Sequence, residues 1–277
     1  MGGRGSADGS HDIQCTQPSG LSGSQRGENQ GSKKTPETDA IFNNVWEVNA
    51  LADASPDTVR ISMDTKAVVH VGQYSRGGKS RGVKRVEALD HDMRPKEKLV
   101  PGGILEVESG STFLFFSSGG NSSDFLGDGL DAWWNHRKSS FPETKRVVIN
   151  LDNGPDCSGH RTQFLKRVVE FVDASGLEVR LAYYPPYHSK YNPIERYWGG
   201  LEKSWNGYLL DSENTVLERA ASFAWKGICG TARIFHSTYP KGITVSGREK
   251  TNLEKRLDRS ESLPWWDITI RPSLVHK

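Results

Sequence analysis

Apolar residues in this chain are gathered into short β-branched runs and helical stripes that begin only after a polar opening. Residues 1 to about 35 are mostly Gly, Ser, Gln, Asn and charged residues with almost nothing to bury, and read as a disordered leader. In TDAIFNNVWEVNALADA, Ile41, Val45, Val48 and Leu51 are spaced 4, 3 and 3 apart, one face of a helix with Thr38 as its N-cap. TVRISMD and KAVVHVGQY read as two strands joined by a tight hairpin or bend. Residues 75–103, rich in Gly, Arg and Lys, read as a long excursion, and STFLFFSS as a third strand. SDFLGDGLDAWWNHRKSSF is a helix with Phe125, Leu130, Trp133 and Trp134 available for packing. RVVINLD is apolar enough for a central strand. HRTQFLKRVVEFVDAS buries Phe164, Leu165, Val168, Val169 and Val172, and LEVRLAYY is a fifth strand, stopped by Pro185-Pro186. A helix opening at Asn192 carries Ile194, Tyr197, Trp198, Leu201 and Trp205 on one stripe.

The order β-β-β-α-β-α-β-α predicts an α/β fold, a mixed five-stranded sheet flanked by helices on both faces, with right-handed crossovers. This is the ribonuclease-H-like arrangement, in which the first and fourth strands are neighbours, so Asp64 and Asp152 should lie side by side. The expected division is a leader at 1–35, a helical lead-in at 36–56, the ribonuclease-H-like domain at 57–210, and a helical segment with a polar tail at 211–277.

Composition narrows this picture only a little. With 25% charged and 35% apolar residues the chain reads as an ordinary soluble one, and a net charge of +2 means that any basic footprint is local. Three widely spaced cysteines (Cys15, Cys157, Cys229) argue against a disulfide framework and for a reducing cytosol. No apolar run approaches the ~20 residues that span a bilayer, so no membrane partner is expected.

The candidate chemistry is acidic. Asp64 ends the run VRISM, where an unpaired charge is costly, so it needs a metal or a cation such as Lys66. Asp152, before Asn153-Gly154-Pro155, reads on its own first as a turn former, yet it stands at a strand's carboxyl end, where α/β sheets place their sites. Glu195 occupies the N3 position after Asn192 and Pro193, equally a capping box and a carboxylate facing the sheet. One Mg²⁺ site accounts for all three together. The histidines lack zinc-hydrolase spacing, and neither a phosphate loop nor a GxSxG elbow is present.

DTK (64–66), LDNGPD (151–156) and YYPPYHSKYNPIERYWG (183–199) resemble the DDE transposases of bacterial insertion sequences, and the "PPY…NPIE" signature is similar to that of the Tc/mariner-like group. DAIFNNVWEVNALADASPDTVRISMDTKA, VGQYSRGGKSRG and RTQFLKRVVEFVD look more narrowly like the ISAzo-thirteen type. The likeness runs from roughly residue 35 to 257. It implies that Asp64, Asp152 and Glu195 are the catalytic and metal-binding triad of a Mg²⁺-dependent transposase (Mn²⁺ also serving). Such an enzyme cleaves transposon ends and joins the 3′-hydroxyl to target DNA, as a dimer or larger assembly in the bacterial cytoplasm at the nucleoid. Two ions are expected per site. One, shared by Asp64 and Asp152, activates water; the other, held by Asp64 and Glu195, stabilises the leaving oxygen. The helix-turn-helix region usual in such proteins is not visible before the domain, which leaves a truncated remnant that only binds DNA, or a nuclease with no joining step, as the competing readings. Lys66, Arg76, Lys79, Arg81, Lys84, Arg85, His188 and Lys190 are the expected DNA contacts, the glycine-spaced basic run being either a solvated loop or a phosphate-tracking arm. Trp133, Trp134, Trp198 and Trp205 are read as core.

Overall fold

The computed structural model describes residues 36–77 and 97–273. The leader at 1–35 lies outside the described residues. Helix α1 (Thr38–Asp53) precedes strand β1 (Thr58–Thr65), the short β2 (Val69–Val71), β3 (Glu97–Glu106) and β4 (Thr112–Ser117). Then come α2 (Ser123–Arg137), β5 (Arg146–Leu151), α3 (Thr162–Ser175), β6 (Glu178–Tyr183) and α4 (Pro193–Ser204). After α5 (Glu213–Ala221), β7 (Ala224–Trp225) and β8 (Ile228–Cys229) form a small hairpin. β9 (Thr231–Phe235), α6 (Gly247–Glu254), β10 (Leu257–Arg259) and β11 (Asp267–Ile270) follow and complete the described residues.

The main sheet has nine strands, eight of them in the order β10-β11-β6-β5-β1-β3-β4-β9, with β2 paired to β3. At its centre, β4-β3-β1 run antiparallel and β1-β5-β6 parallel, the ribonuclease-H-like arrangement with the predicted β1–β5 adjacency. One face carries α2 and α3 over Ile61, Ile149, Phe115 and Leu181, and the other carries α4 and α5 over Leu114, Phe116 and Leu105. α1 closes that second face through Val48 and Ala52 against Val148 and Ala182.

Four expectations change. The sheet is larger than five strands, and the middle strand of its meander is β3, most of which lies inside the stretch read as an excursion. Pro101, Gly102 and Gly103 conceal it, yet the two glycines are what packing requires, since a Cβ on Gly102 would lie 2.3 Å from the Phe115 ring and one on Gly103 2.6 Å from Trp198. Of KAVVHVGQY only Val69–Val71 is strand, and it pairs with β3 rather than forming a hairpin with β1. Beyond 210, where a helical segment and a polar tail are expected, β9 and β11 extend the sheet on opposite sides, and Ile268 and Ile270 are fully buried. In α1 the buried stripe ends at Ala52, while Leu51 is 60% exposed and Thr38 is a buried first-turn residue. At 100° per residue, position 52 returns to the line of Ile41 and position 51 sits roughly 80° away.

Candidate active site

Strand alternation assigns the acidic residues to one face. Ile61 and Met63 point into the α2–α3 core, so Ser62 and Asp64 point to the α4 side. On β5, Ile149 and Leu151 enter that same core, and Asn150 faces α1, where its amide donates to Asn49. Continuing the parallel register two positions beyond Ser62↔Asn150 sets Asp64 opposite Asp152, on strands about 4.8 Å apart. Both line a cleft of about 240 Å³, with Asn121, Asp156 and Cys157.

Asp152 is a turn former as well as a cleft residue. Its Oδ1 accepts the Gly154 amide at 3.0 Å and faces the Cys157 thiol at 3.6 Å, while Asn153 takes a left-handed conformation. Burial raises the Cys157 thiol well above its usual range, with the nearby Asp152 and Asp64 charges adding to it.

Glu195 arrives on the first turn of α4, and the helix start shows that it is not a cap. Asn192 is the N-cap, but its side chain makes no capping bond. Pro193 has no N–H, the Ile194 amide donates to Ser62 Oγ of β1 at 3.0 Å, and the Glu195 amide to the Asn192 carbonyl at 3.0 Å. The Asn192 amide donates to the Ser189 carbonyl, so the partner a capping box needs is already taken. The half-buried Glu195 carboxylate is left without a hydrogen bond among the described residues.

Asp64 lies within electrostatic reach of the other two acids. Burial, then the charges of Asp152 and Glu195, push its carboxyl up to about 8, against the pull of the Thr65 backbone amide and of the Trp198 indole, which donates to Oδ2 at 3.0 Å. A crowded set of carboxylates of this kind fits a hard divalent cation, whose charge relieves their repulsion. Among the described residues no three His, Cys, Asp or Glu side chains are already gathered as ligands to one ion.

The other predicted contacts are dispersed. Lys66 pairs with Glu202 rather than with Asp64, and Arg76 joins the same carboxylate at 2.8 Å while packing over Trp205. His188 is buried, bonded through Nδ1 to the Pro186 carbonyl and set edge-on against Phe42. Lys190 is exposed, beside the Tyr191 ring. Lys79, Arg81, Lys84 and Arg85 lie outside the described residues. Trp133, Trp198 and Trp205 are buried and Trp134 is partly buried, as core residues should be. Sequence reasoning missed Ser62 and the bond from Trp198. The available signal was a serine inside an apolar run, two places before an acid and therefore on its face.

A ribonuclease-H-like sheet with one Asp near the end of a central strand, a second just past the end of its neighbour and a Glu on a later helix fits the DDE class. The chain belongs to the family described as Rhodopirellula transposase DDE domain, which matches residues 16–272. Membership in a DDE family implies a divalent metal. No curated protein matches the chain. Among solved structures it is similar to the Mos1 transposase paired-end complex with left transposon end, at 12% identity over 70% of this chain and 56% of that one, with a TM-score of 0.48. It is also similar to the Mos1 mariner paired end complex with Mn, at 13% identity, 70% and 57% coverage and a TM-score of 0.47. The Mos1 strand transfer complex follows at 10% identity, 70% and 56% coverage and a TM-score of 0.44. The chain thus spans little more than half the length of these proteins. Among the described residues no helix is long and apolar enough to cross a membrane.

Proposed function

We propose that this chain is the catalytic domain of a DNA transposase, with Asp64, Asp152 and Glu195 holding two Mg²⁺ ions, or Mn²⁺ in their place. Asp64 and Asp152 would share one ion, and Asp64 and Glu195 the other. What supports this reading is the cleft that Asp64 and Asp152 line together beyond the last β1–β5 pair, with a helix start docked on β1 that leaves the Glu195 carboxylate unused. Divalent ions held by these carboxylates would supply Lewis-acid activation of a water or a 3′-hydroxyl and charge for the departing oxygen of a phosphodiester. The side chains contribute charge and position, as phosphoryl transfer demands, rather than a protein nucleophile.

The substrate is proposed to be DNA, first transposon ends and then target, in a dimeric or larger assembly in the bacterial cytoplasm. Lys190, exposed in the loop before α4, is the proposed phosphate contact nearest the site, with the basic run at Lys79, Arg81, Lys84 and Arg85 as a phosphate-tracking arm. Lys66 and Arg76 would reach DNA only after release from Glu202.

Plasmid nicking in Mg²⁺ or Mn²⁺ tests the reading. The wild-type chain should nick, and Asp64→Asn and Glu195→Gln should lower the rate by a factor of about 10³ or more while gel-shift affinity for DNA persists. Wild-type chain that shifts DNA without nicking it, or variants that nick normally, would refute the assignment.

A further inference from the structure

The acidic residues belong to different elements, and something must hold α4 at a fixed height against β1 for Glu195 to stand beside Asp64. Two connections, the first buried and the second partly so, bracket Glu195 and meet β1. Before it, the Ser62 hydroxyl donates to Asn192 Oδ1 and accepts the Ile194 amide, and Asn192 Nδ2 reaches the Met63 carbonyl at 3.4 Å. Ser62 and Asn192 are both wholly inaccessible to solvent. In effect β1 caps the helix, because Ile194 presents one of the orphan amides of the first turn and the cap comes from the sheet.

One turn after Glu195, the Trp198 indole donates to Asp64 Oδ2 at 3.0 Å. Its ring lies where a Cβ on residue 103 would be, and Gly103 is the cross-strand partner of Asp64. The glycine therefore gives the indole its berth directly beside the carboxylate it holds.

We propose that Ser62, Asn192 and Trp198 form a two-point clamp of positioning residues that fixes the Glu195 carboxylate relative to Asp64, and thereby sets how tightly the site takes a divalent cation. The proposal rests on the triad reading above. Ser62 and Asn192 set the height of the helix start, and Trp198 sets the rotamer of Asp64. Outer partners of this kind are generally worth about 10–100-fold in metal affinity.

The test titrates Mn²⁺ into the full chain, without DNA, and follows the electron paramagnetic resonance signal of the free ion. Wild type is compared with Ser62→Ala, Trp198→Phe and Asp64→Asn, with thermal melts recorded alongside. Trp198→Phe removes the donor together with the outer ring edge that faces Gly103, so its melt reads the packing loss and its Mn²⁺ affinity the loss of the donor, and it decides the matter even if Ser62→Ala fails to fold. Trp198→Phe and Ser62→Ala should each bind Mn²⁺ about 10-fold more weakly, and in nicking assays kcat should fall with KM for DNA unchanged. Asp64→Asn should abolish the binding. If Asp64→Asn binds as wild type, the triad reading falls and the clamp with it. If Asp64→Asn loses the ion while a clamp variant binds as tightly as wild type, that half of the clamp is overturned and the triad stands.

Discussion

Asp64 sits near the end of β1, past its last pair with β5, and burial with two neighbouring carboxylates pushes its carboxyl up to about 8, from 3.8 in an unconstrained chain. Between those values the folded protein binds a proton that the unfolded chain has released, so the stability Asp64 contributes is complete below pH about 4 and is lost as pH rises through 8. In chelator, Asp64→Asn should therefore be more stable than wild type at pH 8 by on the order of 1–3 kcal/mol, the gain shrinking toward pH 4. Thermal melts across that range would detect it. A variant of equal or lower stability at pH 8 would mean that the ionised carboxylate costs the fold nothing. Glu195 was only half legible in the sequence. Its position after Asn192-Pro193 fits a cap and a ligand equally in one dimension, and the choice depends on Ser62, 133 residues earlier, taking the capping role.

At the scale of elements, α3 and α4 were legible because their apolar residues recur at helical spacing; Phe164, Leu165, Val168 and Val172, and Ile194, Tyr197, Trp198 and Leu201, are all buried. Strand β3 was not. Pro101-Gly102-Gly103 is a breaker by local propensity, and only the rings of Phe115 and Trp198, from β4 and α4, explain why side chains are excluded there. Helix α4 also carries Glu202, whose carboxylate holds both Lys66 and Arg76, two cations expected on DNA. Glu202→Gln should free them, so that DNA binding tightens and the dependence of log K on log salt steepens by about 1–2 in slope. Fluorescence anisotropy with labelled duplex at several salt concentrations measures both quantities. An unchanged slope would show that Lys66 and Arg76 stay clear of the phosphates even when released.

For the whole molecule, the β1–β5 adjacency could be read from element order, because three meandering strands followed by alternating helices and strands leave few topologies. The outer strands could not. β10 and β11 are three and four residues long, and the pairing of β11 with β6 is secured by a tertiary ion pair between Arg180 and Asp267 that no local pattern announces. If this topology brings Asp64, Asp152 and Glu195 to one cation-binding point, anomalous X-ray diffraction from crystals of the chain grown with Mn²⁺ should show peaks within coordination distance of all three carboxylates, with Asp64 contacting each ion; a peak ligated by other residues, or one that leaves Asp64 unliganded, would overturn the triad.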